Sequence, residues 1–549
     1  MSRASSPFAT VGLAKTKRSS FDLSHVVKTA FDIGKIIPLP PIPCIPGDVH
    51  RIRFNGVMRL QPMLTPIFEN LKLRFYSFFV PYRILFDGWE DFITKGRLGT
   101  TTVALPTVNP ASFSNPTAAV GVSSLWDYFG LQVVPALTTL AANSRPIDFM
   151  YRAYWMIWNE FFRIPALQDE VDIETHYYTT AGALPAYRNW QRDYFTSALP
   201  FAQAGVAPAL PVFGSANAEF DLDVVDASSV ASSMGLPVGV RIDNGAPAGF
   251  GLYYPTGGAW VSNSGDRAQA EANLNDELSG KNEIQGDSFS SVDINDLRLT
   301  WQLQVWMERN ARAGTRYTEQ LLSHYGVAPR DERLQRPEMI GGSVTSVVIS
   351  EIVQTAPENE EETPQGNMSG HGVAIPSGFI GSYHVKEHGL IMNLVCVTPP
   401  ATYQQGIPRW MTSRITFDFP FPEFAGLGEQ EIFNEELFVA PATTDPDGAQ
   451  NRDVFGFTGQ YNDYRYIQNR VTGIMHSGVT DTLDIWHMAR QFADLPELSS
   501  GFANMEGAAE DMVRPFSVQD SPPLMGIFSI GLDSSRLLPF MAEPSSIGV

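Results

Sequence analysis

Cysteine is the scarcest residue of note in this 549-residue chain: Cys44 and Cys396 stand alone, 352 positions apart. Two thiols cannot make a disulfide framework or a cysteine-rich zinc module. Both are read as buried small hydrophobes. Long apolar runs are missing as well. Residues 1–28 hold no hydrophobic signal core, and no stretch of 18 residues is free of charge, Pro and Gly, which speaks against a signal peptide and a membrane-spanning helix. Charge is sparse, at 18%, and mostly of one sign: 38 Lys and Arg against 59 Asp and Glu give a net −21. A surface that bound phosphate everywhere would need the opposite balance, because such affinity comes from Lys and Arg displacing counterions. Any nucleic-acid contact must be local.

Catalytic signatures are missing too. No G-x-x-x-x-G-K-[ST] phosphate loop, G-x-G-x-x-G turn or G-x-S-x-G nucleophile elbow occurs. The one literal match is His384-Val385-Lys386-Glu387-His388, the H-x-x-E-H string of a metallopeptidase group. That chemistry needs a helix to bring both histidines to one ion. Here Gly378, Gly381 and Gly389 flank the string and Leu390 to Val397 reads as strand. In an extended chain the two rings lie roughly 13 Å apart, beyond sharing a metal. They are read as ordinary sheet histidines, and no metal or cofactor site is assigned. Glu360-Glu361-Glu362 beside Pro364 is read as a solvated loop, not a catalytic carboxylate pair.

What is present points to β structure. Hydrophobic residues reach 44% and aromatics 11%, and 549 residues are enough for a large core carrying insertions. Forty prolines favour short strands joined by shaped loops, since Pro neither donates to a ladder nor tolerates a helix interior. Leu71, Leu73, Phe75 and Phe79 alternate with Lys72 and Arg74, a half-buried strand that Pro81 should end. Further strands are expected near Ser343–Ile352, Phe379–Val397, Arg414–Phe419 and Val454–Tyr466, as in an antiparallel sandwich. Met150, Tyr154, Ile157 and Phe161 recur at helical spacing within 145–163, a core-packing helix. A second helix is expected from the cap Asp293, with Ile294, Leu297, Trp301 and Val305 as its stripe, ending at Gly314.

Two segments differ in composition. Arg3, Lys15, Lys17 and Arg18 precede any acidic residue and a Pro-rich stretch follows, so residues 1–45 are expected to form a basic arm. A disordered terminus with incidental charge is the plainer alternative. From Val206 to Asp296 thirteen acidic residues face only Arg241, Arg267 and Lys281, a net −10. That is the composition of a long surface insertion, placed at 206–292.

Taken as whole strings, several segments resemble the major capsid proteins of the Microviridae, in the gokushovirus branch. They are RSSFDLSHVVKTAFDIGKIIPLPPIPCIPGDVHRI (Arg18 to Ile52), with its turn at Pro46, Gly47 and Asp48, then FFVPYRILFDGWEDF and RAYWMIWNEFFR. NWQRDYFTSALPFAQAG, ARAGTRYTEQLLSHYGVAPRDERLQRPEMIGG, VKEHGLIMNLVCVTP, YQQGIPR and FAGLGEQEIFNEEL follow in the family's order, so the resemblance spans nearly the whole chain. It implies a non-enzymatic protein, mainly β: a viral jelly roll of eight antiparallel strands over 46–549, with long loop insertions containing several helices. It implies about sixty copies closing a T=1 icosahedral shell around circular single-stranded DNA. The acidic insertion falls where this branch carries its threefold protrusions, and host attachment is expected there. Expected partners are further copies of the chain, an internal scaffolding protein, a DNA pilot protein, a small basic DNA-binding protein, the packaged DNA and a host surface receptor. The virion, after assembly in the host bacterial cytoplasm, is the expected location. Arg3, Lys15, Lys17, Arg18 and Lys28 are the residues expected to line the inner wall and touch phosphate or scaffold. A structural calcium ion is left open, since no EF-hand loop is present. A carbohydrate-binding or glycan-degrading β-sandwich is the competing class, distinguished by being a monomer or small oligomer.

Overall fold

The computed structural model describes residues 18–96, 100–133, 140–206, 252–253, 261–262, 294–314, 316–353, 368–518 and 521–541. Arg3, Lys15, Lys17, Asp293, the Glu360-Glu361-Glu362 run and most of the acidic insertion lie outside them. The chain divides into one unit made of Met1–Ala204 with Glu308–Val549 and another made of Gly205–Met307, which contains the acidic insertion.

Strands are numbered along the chain: β1 (Ser19–Asp22), β2 (His25–Phe31), β3 (Ile37–Pro38), β4 (Ile42–Cys44), β5 (Val49–Leu60), β6 (Lys72–Pro81), β7 (Leu252–Tyr253) and β8 (Val261–Ser262). There follow β9 (Glu338–Ser346), β10 (Val348–Val353), β11 (Met368–Ala374), β12 (Ser377–His384), β13 (Gly389–Thr398), β14 (Glu429–Phe433), β15 (Val454–Gly459) and β16 (Leu524–Arg536). In the smaller unit β7 pairs with β8.

The larger unit is built on two antiparallel sheets. In the first, β16 and β5 run side by side for twelve paired positions. Beyond β16 lie β2 and β1, and beyond β5 lie β12 and β11, with β10 at the edge. The second sheet sets β13 against β6, adds β9 outside β6, and pairs β3 and β4 with β13. The sheets pack face to face through a core in which Phe54 of β5 stacks on Phe75 of β6 at 4.0 Å between ring centroids and meets Phe528 of β16 at 5.4 Å. A second core lies on the far side of the second sheet, where Phe78, Val80, Leu390, Met392 and Cys396 meet Trp126, Phe149, Tyr151 and Tyr154. The second sheet is therefore covered on both faces, which is why β13 reads GLIMNLVCVT and is buried at every position. Among the described residues the first sheet is covered on one face only, and β5 and β16 alternate buried with exposed.

The helix expected within 145–163 is Phe149–Ile157, continued by a π-helical turn to Phe162. It is buried nearly all round, Tyr151 and Arg152 as well as Tyr154 and Ile157, because aromatic loops close over the side the sheet does not cover. The second helix is Ile294–Ala313 and stops at Gly314, whose φ of +103° suits glycine at that position.

Several expectations need correction. Residues 19–44, assigned to an arm, are strands β1 to β4 in the two sheets, drawn in by apolar residues such as Phe31, Ile37 and Ile42 that fill the cores. Arg414–Phe419 is not a strand: Thr416–Asp418 is a single 3-10 turn, because the Asp418 carboxylate accepts from the amides of Arg414 at 2.6 Å and Ile415 at 3.0 Å. Val454–Tyr466 is strand only to Gly459, after which Tyr461 takes a left-handed φ of 60° and Asn462–Arg465 forms a helical turn. The expected strands 343–352 and 379–397 each break in two, at Val347 and at 385–388.

Candidate nucleic-acid interface

The half-covered sheet places a basic stripe on its open face. Strand β5 reads VHRIRFNGVMRL, and the two-residue period sends His50, Ile52, Phe54, Met58 and Leu60 inward. Arg51, Arg53, Asn55, Val57 and Arg59 therefore face out. At about 3.4 Å per residue, Arg51 and Arg53 stand ~7 Å apart and Arg59 lies ~27 Å from Arg51. Across β16, Lys28 of β2 lies opposite Ile527, which in turn faces Val57, so Lys28 sits two strands from β5 on the same side. On the other flank Phe379 of β12 is the direct partner of Arg53 and is 63% exposed.

Among the described residues of these strands the carboxylates on this face are Asp533, ion-paired to Arg53 and opposite Arg51, and Asp22, opposite Asp533 on β1. Four cations thus face two carboxylates in a chain whose net charge is −21. Local positive charge beside an exposed aromatic ring is the chemistry that holds a single-stranded nucleic acid, through phosphate neutralisation and base stacking. The backbone beneath is tightly set: a Cβ at Gly56 would come within 2.5 Å of the Ile527 carbonyl oxygen.

A buried polar cluster pins the end of the stripe. The turn Pro46-Gly47-Asp48 leads into β5, with Gly47 at φ +92°. Asp48 is wholly buried; its Oδ2 accepts from the Ile45 amide at 3.1 Å and lies 3.2 Å from Arg536 Nε and 3.5 Å from His50 Nε2. His50 Nδ1 pairs with Ser534 Oγ at 2.8 Å, and Arg536 Nη2 donates to the Pro43 carbonyl at 2.8 Å. Burial, aided by nearby Arg536, lowers the His50 pKa despite the pull of Asp48, so the ring stays neutral. Burial drives the adjacent Cys44 thiol up to about 12, leaving it an inert apolar group.

Of the residues assigned to phosphate or scaffold contact, Lys28 joins the stripe. Arg18 is exposed near the pinned end, its Nη1 donating to the Ser535 carbonyl at 3.5 Å. The H-x-x-E-H string is not a helix: His384 ends β12 and 385–388 connects it to β13, and its side chains are engaged separately. Lys386 pairs with Glu332 at 2.6 Å, Glu387 with Arg83 at 3.1 Å, and the His388 ring meets Trp89 edge-on at 5.7 Å. Among the described residues no cluster of three or more His, Cys, Asp or Glu could hold a metal ion. Sequence reasoning missed Arg51, Arg53, Arg59 and Phe379. The signal for the arginines was there, two residues apart in HRIRF between apolar positions, but they count as one face only once β5 is known to border open solvent.

Several known proteins are similar to this chain over most of its length. The sequence model of a family described as "Capsid protein (F protein)" matches residues 9–545. The chain is 33% identical to the Capsid protein VP1 of Chlamydia phage 1, over 98% of this chain and 97% of that protein. It is 29% identical to the Capsid protein VP1 of Spiroplasma virus 4, over 96% and 95%. Likeness to the Capsid protein F of Escherichia phage alpha3, at 28% identity, covers 28% of this chain and 32% of that protein.

Proposed function

This chain belongs to the capsid protein (F protein) family, and from that premise we propose that it forms the closed shell of a gokushovirus-like bacteriophage around a circular single-stranded DNA genome. It is a structural protein and not an enzyme, and its family role is assembly with further copies of itself. About sixty copies close a T=1 lattice, each presenting heterologous faces that return on themselves. The two packed sheets serve as the eight-stranded jelly roll of the shell, extended at their edges by the N-terminal strands.

The observation that carries the genome-facing part of this reading is the stripe of Lys28, Arg51, Arg53 and Arg59 in so acidic a chain. This face lines the interior and touches the DNA backbone, with Arg3, Lys15, Lys17 and Arg18 extending the same charge. A shell so acidic overall still needs cations inside, which a small basic DNA-binding protein supplies; a scaffolding protein and a pilot protein complete the assembly in the host cytoplasm. The acidic insertion 206–292 stands outward as the threefold protrusion and meets the host receptor.

The deciding experiment is electron microscopy with sedimentation on the chain alone and co-expressed with its neighbouring phage genes. Uniform closed particles containing nuclease-protected single-stranded DNA are expected. A monomer or small oligomer under both conditions would replace this reading with a sugar-binding sandwich. Particles lacking residues 206–292 that still adsorb to the host would remove the attachment role alone.

A further inference from the structure

The loop 409–427 combines unusual exposure with internal order. Trp410, Met411, Ile415, Phe417, Phe419, Phe421 and Leu427 are between 37 and 70% exposed, seven large apolar side chains within eighteen residues. The loop is nevertheless folded. It holds three single 3-10 turns, Arg409–Met411, Thr416–Asp418 and Pro422–Phe424. The Asp418 carboxylate caps its own turn, and the Phe424 ring packs edge-on to Phe417 and Phe421 at 6.0 and 6.2 Å. Both ends are tied down: Arg409 lies 3.4 Å from Glu436 and over the Phe433 ring at 5.2 Å, and the Phe421 amide donates to the Tyr461 hydroxyl at 3.3 Å.

We propose that this preformed aromatic loop docks into an apolar socket on a second copy of the same chain, making one of the contacts that close the shell. The inference rests on the shell reading and adds to it which surface is used. Three observations select a copy of this chain as the occupant. First, the loop's Arg409 and Arg414 are balanced by Asp418 and Glu423, and it has no Lys, so nothing in it attracts a phosphate backbone or an anionic lipid surface. Second, aromatic, Met and Arg content with Lys excluded is the composition of protein interfaces. Third, at ~200 Å² for a fully exposed large side chain, these seven expose about 800 Å², the share one partner contributes to a standard-sized interface. That much exposed apolar area on one short loop is unusual on a protein that works alone, whereas family membership already requires copies to meet.

The test has two arms on the full-length chain. In the first, Trp410→Ser, Phe417→Ser and Phe419→Ser are combined and particle yield is measured by sedimentation, with the melting temperature as a control for folding. The expected result is a loss of particles of at least tenfold with unchanged melting. In the second arm, a photo-reactive benzoylphenylalanine at position 417, in an otherwise native chain, is activated in assembled particles and the crosslinked peptides are mapped. A product of twice the subunit mass supports the proposal and locates the socket. Wild-type shells matched by equal shells from the triple variant, or crosslinks to a scaffolding protein or within one chain, overturn the docking inference and leave the shell reading intact. If the wild type forms no particles at all, the shell reading falls and takes the inference with it.

Discussion

Neutralising the basic stripe gives the sharpest quantitative expectation. Lys28, Arg51, Arg53 and Arg59 are replaced together by Gln in the unassembled full-length chain, and binding of a fluorescent oligothymidylate is followed by anisotropy across a salt series. Each phosphate neutralised on a single strand contributes about 0.7 to the slope of log affinity against log salt. Arg53 is already shared with Asp533, so it acts as less than a full contact. The four side chains together should therefore flatten the slope by about 2 to 3. Phe379→Ala acts differently: losing one stacking platform weakens binding by roughly 1–3 kcal/mol and leaves the slope alone. All five side chains are on the open face, so melting should hardly move. An unchanged salt slope in the folded quadruple variant would refute the argument that this face meets phosphate.

Other expectations concern stability, measured by urea unfolding of the unassembled chain. Asp48→Asn should cost about 3–5 kcal/mol, because it strands Arg536, and adding Arg536→Met should recover part of the loss; purely additive effects would show that the two are not coupled. The lowered His50 pKa means that the unfolded chain binds its proton more tightly, so stability holds above pH ~6.5 and falls as the pH drops below it. His50→Asn should reduce that fall between pH 7 and 5, and an unaltered pH profile would contradict it. Glu69, whose carboxyl burial raises to about 7, has the opposite sign: its contribution is complete below the unfolded value of ~4.3 and is lost as pH rises to about 7. Glu69→Gln should accordingly stabilise by roughly 1–3 kcal/mol at pH 8 and by little at pH 4; equal effects at both pH values would overturn the assignment. Phe54→Ala, which removes the ring stacked between Phe75 and Phe528, should cost about 3–5 kcal/mol, and a loss below ~1 would mean the two sheets do not meet there.

How far the sequence could be read followed the strength of its periodicity. The alternation in LKLRFYSFFVP located β6, and the apolar run after Gly389 located β13, because burial on one face or on two leaves a distinct pattern. Residues 19–44 misled because composition dominated the reading: four nearby cations and a Pro-rich stretch hid short strands whose partners, β16 and β13, lie more than 340 positions away. Arg414–Phe419 alternates like a strand, but Asp418 offers the backbone a local acceptor that competes with a ladder. The candidate site was half legible. Lys28 was named for its charge alone, whereas Arg51, Arg53, Arg59 and Phe379 become one surface only through the register of four strands.

On the proposed reading, phosphate contact and subunit docking fall on different kinds of structure, and the layering accounts for the difference. The second sheet has a core on each side, so no charged side chain can be placed along β13 without a burial penalty. The first sheet has a face on which arginines recur at alternate positions along β5 at little cost, and a rigid ladder fixes their spacing, as contact with a repeating backbone requires. Subunit contact makes other demands. A heterologous interface needs a projecting apolar element of irregular shape, which a proline-rich loop folded on its own carboxylate cap can supply and a flat sheet cannot. Residues 206–296 carry a net −10 of the chain's −21, so the rest of the chain is much less acidic than the total suggests. Moving a carboxylate onto the open face, as in Asn55→Glu between Arg53 and Val57, should therefore weaken oligothymidylate binding more than the same change in the insertion, although both alter the net charge equally; equal losses would mean that overall charge, and not this face, governs the contact.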